Sequence, residues 1–166
     1  MSSKITTLNE LLTLQLKDIF SAESQLLKAL PKMAKAAQAS VLRDAFESHL
    51  DETKHHLERL EQVGEMLNIK LRGHKCVAME GLINEGEETI HDDMDPQVRD
   101  AALICAAQRV EHYEIAAYGC ARTFAELLGF SDAAQLLTES LEEEGAADKL
   151  LTQIAMEGIN AAAINA

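Results

Sequence analysis

"KLRGHKCVAMEGLINEGEETIHDDMDP", residues 70–96, is the stretch on which the fold turns. It opens with a basic loop and continues over 77–91 in a short amphipathic pattern. It closes on Asp95 and Pro96, a capping acid followed by proline at the first helical position, where a missing N–H is harmless. The stretch is therefore a long connection of roughly 25 residues carrying a helix of its own, not a tight turn. On both sides, from about residue 7 onward, apolar residues recur every three or four positions, and no segment shows the two-residue alternation of a half-buried strand. Upstream, a first helix begins after Thr6 or Thr7 as cap and reaches about residue 39, with a kink expected at Pro31. A second, "VLRDAFESHLDETKHHLERLEQVGEML", follows Ser40 as cap and covers about 41–68. Downstream, a third covers 96–128 and stops at Gly129, and a fourth, capped by Ser131, covers about 132–158 before a tail expected to fray. Hairpin, long crossover, hairpin is the order of a ferritin-like four-helix bundle, whereas an up-down-up-down bundle needs only short loops. The expectation is an all-α chain, residues 1–166 forming one such domain.

Composition agrees with a folded chain and narrows its partners. Apolar residues make up 47% against 26% charged, with two prolines and eight glycines, which excludes disordered and collagen-like chains. A net charge of −13 argues against nucleic acid and anionic membrane surfaces, both of which need a cationic patch. The start "MSSKITTLNELL" lacks a basic segment followed by an apolar run, and no segment offers about 18 uncharged apolar residues, so a cytoplasmic protein is expected. Cys76, Cys105 and Cys120 are an odd number without metal-type spacing. Cys105 and Cys120 fall in apolar helical sequence and read as buried thiols of a reducing compartment. His74 and Cys76 in "GHKC" have no partner motif nearby.

The chemistry lies in the helix stripes. At about 100° per residue, Leu12, Leu16, Ile19, Leu26 and Leu30 share one face of the first helix, and Glu23 fills its missing step. On the second, Leu42, Ala45, Leu60, Val63 and Leu67 enclose His49, Glu52 and His56. On the third, Leu103, Ala107, Val110, Ala117 and Ala121 surround Glu114, with Glu111 at the edge one turn earlier. On the fourth, Leu137, Leu141, Leu151 and Ala155 flank Glu144 and Asp148. Each helix thus carries acid in its core stripe at mid-length, and no Lys or Arg joins them. An uncompensated buried carboxylate costs several kcal/mol, and a set of this size would consume a domain's stability of roughly 5 to 15 kcal/mol. Protonation would relieve it, at the expense of strongly raised pKa values. Two metal ions, iron or manganese, would do so better, since both accept carboxylate and imidazole, and such a set is the composition of di-metal carboxylate bundle sites. A Glu-x-x-His pair would be Glu52 with His55, but His55 points about 120° off the stripe, so the phase favours His56 as ligand. His49 reads as a satisfied core residue or a support for a ligand. Tyr113 and Tyr118 are placed to hydrogen-bond a carboxylate.

Four segments, "LKDIFSAESQLLKALPKMAKAA" (16–37), "HKCVAMEGLINEG" (74–86), "VRDAALICAAQRVEHYEIAAYG" (98–119) and "SLEEEGAADKL" (140–150), resemble the YciF-like bacterial stress proteins over nearly the whole chain. The resemblance implies a rubrerythrin-related bundle, a homodimer, and production under stress. By position it matches the family's acids to Glu23, Glu52, Glu111, Glu114, Glu144 and Asp148, and His56 falls where some members carry glutamine. The reading that follows is a di-metal protein in which Glu52 and Glu144 bridge two ions, while Glu23, Glu111 or Glu114, His56 and Asp148 complete the shells, and which reacts with dioxygen or peroxide or buffers iron. The competing reading is a metal-free dimeric bundle that keeps a relic site.

Overall fold

A computed structural model describes residues 4–166. The order is α1 (Leu8–Ala36), α2 (Ser40–Met66), α3 (Val77–His91), α4 (Pro96–Leu127) and α5 (Ser131–Ile154), then a π-helical turn (Ala155–Ile159) and α6 (Asn160–Ile164). No strand occurs among the described residues. Thr7 caps α1 in a capping box with Glu10. Helix α1 continues through Pro31 and ends at Ala36, short of the expected residue 39.

Two caps differ from the sequence reading. Ser40 and Ser131 are the first residues of their helices, and Ala39 and Phe130, which precede them, cap neither with a side chain. For α2 the partner comes from another helix: the buried Asp100 carboxylate of α4 accepts from the backbone N–H of Gln38 (2.8 Å) and Ala39 (2.8 Å). Asp95 caps α4 as expected, accepting from Gln97 N. Helices α2 and α4 close alike, on Asn68 (φ 54°) and Gly129 (φ 80°) in the left-handed region. The next residue reaches back in each, Ile69 N to Gly64 O (2.8 Å) and Phe130 N to Ala125 O (2.9 Å).

Helix directions follow from which residues share a core. One apolar cluster joins Leu26–Ala34 of α1 to Leu42–Phe46 of α2, Leu103–Val110 of α4 and Leu151–Ile154 of α5; the other joins Leu12–Phe20 to Leu60–Val63, Tyr118–Ala125 and Ala133–Leu137. So α1 and α5 run one way, α2 and α4 the other, and the single long crossover, residues 67–95, returns the chain along the whole bundle. Each fully buried leucine in these clusters, such as Leu12 or Leu60, contributes about 2 kcal/mol.

Helix α3 packs on α1 and α4. Cys76 pins its start: its N–H donates to Ser21 Oγ (2.9 Å), its carbonyl accepts from Gln25 Nε2 (3.0 Å), and its buried thiol lies 3.1 Å from Tyr113 OH. Tyr113 donates to Asp18, which also meets His74 Nε2 at 2.9 Å. The "GHKC" segment thus has partners, Asp18 and Tyr113, on helices far away in sequence. Cys105 and Cys120 are exposed, contrary to the expectation of buried thiols. Each lies about 200° around α4 from inward neighbours such as Leu103, Ala107 and Tyr118, on the outer face. The segment expected to fray, 159–166, is helical to Ile164. No helix among the described residues is long and apolar enough to cross a membrane.

Candidate metal centre

Between the two apolar clusters lies a polar layer. Going along each helix from one cluster to the other crosses Glu23 on α1, His49, Thr53 and His56 on α2, Glu111 and Glu114 on α4, and Ser140 and Glu144 on α5, all buried. The helix period that places leucines above and below necessarily turns these residues inward.

Within the layer two groups bring their ligand-type atoms within 4.8 Å of one another: His49, Glu111, Glu114 and Glu144, and Glu23, His56 and Glu144. Glu144 belongs to both. His49 Nε2 is 3.3 Å from Glu111 Oε1 and 3.6 Å from Glu144 Oε2. His56 Nδ1 is 2.9 Å from Glu144 Oε1 and 3.1 Å from Glu23 Oε1, and Tyr118 OH donates to the same Glu23 oxygen at 2.5 Å. The other face of His56 meets Glu143, Nε2 to Oε2 at 2.8 Å, and Arg59 clamps that carboxylate with two hydrogen bonds of 2.6 and 2.8 Å. A chain of charge therefore runs from the layer to Arg59, a partly buried arginine outside the apolar stripes.

Of the residues expected as ligands, Glu23, His56, Glu111, Glu114 and Glu144 come together in the two groups. Glu52 and Asp148 do not. Glu52 stands at the edge, its side chain 39% exposed, and its Oε2 meets His49 Nδ1 at 3.2 Å. Thr53, four residues after His49 and three before His56, takes the inward position instead. Asp148 lies toward the surface, accepting from Gln108 Nε2 (3.1 Å) and meeting His112 Nε2 (3.3 Å). His49, expected as a core residue, joins a group directly. The signal was present in its position two turns before His56 on one stripe. His55 is exposed, as its phase implied.

The electrostatics divide the acids. Burial pulls His56 toward neutrality, but its contacts with Glu144 and Glu23 outweigh it and push its pKa up to about 11, so both ring nitrogens carry protons. Burial likewise opposes the charge on His49, and the Glu52 contact with the charges of Glu144 and Glu23 raises it. For Glu144, burial works upward, yet His56 and His49 bring it below its ordinary value. Glu111 and Glu114 are pushed well above theirs, first by burial and then by Glu144. Burial also raises Glu23, against the pull of His56. One carboxylate is thus held ionised by imidazolium while two are held protonated.

Whether these residues fit a metal is tested by what they leave unpaired. Glu23 Oε2, Glu111 Oε2, His49 Nε2 and both oxygens of Glu114 and of Glu144 are buried without a hydrogen-bond partner, Glu144 meeting the two imidazoles as ion pairs only. Such atoms cost about 1 to 3 kcal/mol each, and native proteins keep few of them. Their convergence on two groups with one shared carboxylate and one imidazole each fits a pair of cations that accept oxygen and nitrogen.

The sequence profile of DUF892, a domain of unknown function, matches residues 7–164. Protein YciF of Escherichia coli (strain K12) is 52% identical over 151 residues, 90% of this chain and 91% of that one. The crystal structure described as the E. coli stress protein YciF superposes with a TM-score of 0.91 at 50% identity, covering 94% of this chain and 99% of that chain. A structure from Xanthomonas campestris, at 21% identity and a TM-score of 0.76 over 95% of this chain and 96% of the other, shares the fold. The chain belongs to the DUF892 family, that of the YciF-like stress proteins.

Proposed function

We propose that the chain is a di-metal carboxylate protein of the stress response, holding two ions, iron or manganese, in the mid-bundle layer. The observation that carries this is the pair of buried groups sharing Glu144, with carboxylate oxygens that nothing else satisfies. Glu23, His56 and Glu144 would hold one ion, and His49, Glu111, Glu114 and Glu144 the other. This set replaces Glu52 as the second bridge: Glu52 orients His49 through Nδ1, as Glu143 and Arg59 orient His56 through Nε2. When bound, such ions supply the electron transfer to dioxygen or peroxide that none of these side chains performs alone. The chain's own part is to exclude water, to fix the ligands from four rigid helices, and to release the protons that Glu111, Glu114 and His56 Nδ1 hold without metal. The E. coli relative's description as a stress protein supports placing this chemistry in stress, either as iron buffering or as removal of an oxidant. The family resemblance extends the proposal to a homodimer of single-domain chains in the cytoplasm.

A second reading has its own observation. His56 already meets three carboxylates, at 2.8, 2.9 and 3.1 Å, so the layer is partly neutralised without metal, as a relic site in an interaction module would be. Elemental analysis of protein purified without chelator, followed by anaerobic iron(II) titration and admission of air at an oxygen electrode, separates the two. Saturation near two ions per chain with oxygen consumption supports the di-metal reading; absence of saturable binding supports the module. Because Glu144 serves both groups, Glu144→Ala should lose both ions, whereas Glu23→Ala should lose one.

A further inference from the structure

A pocket of about 260 Å³ lies between α2 and α5 and reaches the polar layer from outside. Its mouth is exposed at Ser48, Ala146 and Leu150, and its depth is apolar, formed by Phe46 and Leu151 with Ala147 along the wall. The inner end is polar: His49 and Glu111, both buried members of one group, with half-exposed Glu52 beside them. Two larger grooves, of about 590 and 560 Å³, lie under the crossover around Phe20 and Arg72 and touch no residue of the layer.

We propose that this pocket binds a small organic molecule, about one ring in size, with a single hydrogen-bonding head directed at His49, Glu52 and Glu111. Size sets the upper limit. An apolar cavity of about 150 Å³ accepts benzene, so 260 Å³ admits one ring with a short substituent and little more. Dioxygen or peroxide would leave most of it empty. The division into apolar walls and one cluster of convergent polar groups is that of a site which takes a ligand's body in one part and fixes its head in the other. A route for metal cations would instead need a file of acids, and here one half-exposed acid, Glu52, stands among walls that are otherwise alanine, leucine and phenylalanine with Ser48 at the mouth. Binding of this ligand does not rest on the di-metal reading.

The test therefore uses metal-free protein, with phenol as probe and toluene as its headless counterpart, followed by methyl NMR of the alanine and leucine side chains. Phenol should bind saturably, one per chain, moving the Ala147, Leu150 and Leu151 methyl signals, and toluene at least fivefold more weakly. Ala146→Phe, at the exposed mouth where folding tolerates it, should weaken phenol at least tenfold while its iron(II) stoichiometry matches wild type. No saturable phenol binding to the wild type, or binding unchanged in Ala146→Phe, would overturn the proposal. Toluene binding as well as phenol would overturn the assignment of the head. Sedimentation of Ala146→Phe that reports a changed association state, with phenol inactive on the wild type, would mean that a second copy of the chain covers the mouth. Iron(II) saturation is read separately, so a failed pocket and a failed metal site give different results.

Discussion

Glu114 and Glu144 are glutamates of the same buried group on adjacent helices, yet they should respond oppositely to removal. Neither glutamate finds a hydrogen-bond partner, and what separates them is charge: Glu144 pairs with two imidazoles, whereas Glu114 meets no base and its carboxyl is held protonated by burial and by Glu144. In metal-free protein Glu114→Leu removes an unsatisfied group and should stabilise by about 1 to 2 kcal/mol in urea unfolding. On sequence alone the same gain is expected of Glu144→Leu, as deletion of an unpaired acid. The structure reverses that expectation: Glu144 is the ionised partner of His56 at 2.9 Å and of His49 at 3.6 Å, and although Glu143 and Glu23 still meet His56, its loss weakens both imidazoliums at a cost of about 1 to 3 kcal/mol. Equal and same-signed shifts for the two variants would show that the layer is not divided into charged and protonated acids. Helix phase made most of the layer legible, since residues three, four and seven apart must share a face. It failed where one step decides between neighbours: Glu52 and Thr53 both fit the α2 stripe within its width, and in the fold Thr53 is buried while Glu52 stands at the edge. Asp148 fits the α5 stripe equally well, but Gln108 and His112 hold it toward the surface.

At the scale of elements, the crossover and the four long helices were readable because a missing short loop and an apolar period are local signals. Start sites were less so. Ser40 matches the cap pattern, but the N–H groups ahead of α2 are satisfied by Asp100, which is sixty residues away and belongs to no local motif. Asp100→Ala should therefore cost about 1 to 3 kcal/mol, two hydrogen bonds from part-buried backbone to a buried carboxyl, while Ser40→Ala should stay within about 0.5 kcal/mol. Denaturant midpoints for the pair measure this; a larger loss at Ser40 would restore the local cap. The π-turn at Ala155–Ile159 also had no readable signal, because an inserted residue in the helix ladder changes the register without changing the composition.

Over the whole molecule, the layer ties stability to pH in a direction set by its protons. His56, with a pKa near 11 against an ordinary 6.5, and the raised His49, Glu23, Glu111 and Glu114 all bind protons more tightly folded than unfolded. Where the folded state holds more protons, stability falls as pH rises. The carboxyls' share begins to go near 4.5, their ordinary value, and the His56 share is intact below 6.5 and lost progressively up to about 11. At the acid side the sign is opposite. Glu143, held low first by Arg59, and Glu144, held low by its histidines against burial, contribute stability that disappears as pH falls below the carboxylate range. Metal-free protein should thus be most stable near pH 4.5, decline above it as the raised carboxyls lose their share, and lose on the order of 3 kcal/mol more from His56 between pH 6.5 and 9, one pKa unit being worth about 1.4 kcal/mol. Cations compete for the same sites, so they bind more tightly at higher pH and release protons as they do. Saturating manganese(II) should therefore flatten the alkaline decline, with proton uptake or release followed in weakly buffered titrations. A metal-free stability that rises from pH 6 to 9 would mean that His56 is neutral in the folded chain, and the division of charge within the layer would have to be redrawn.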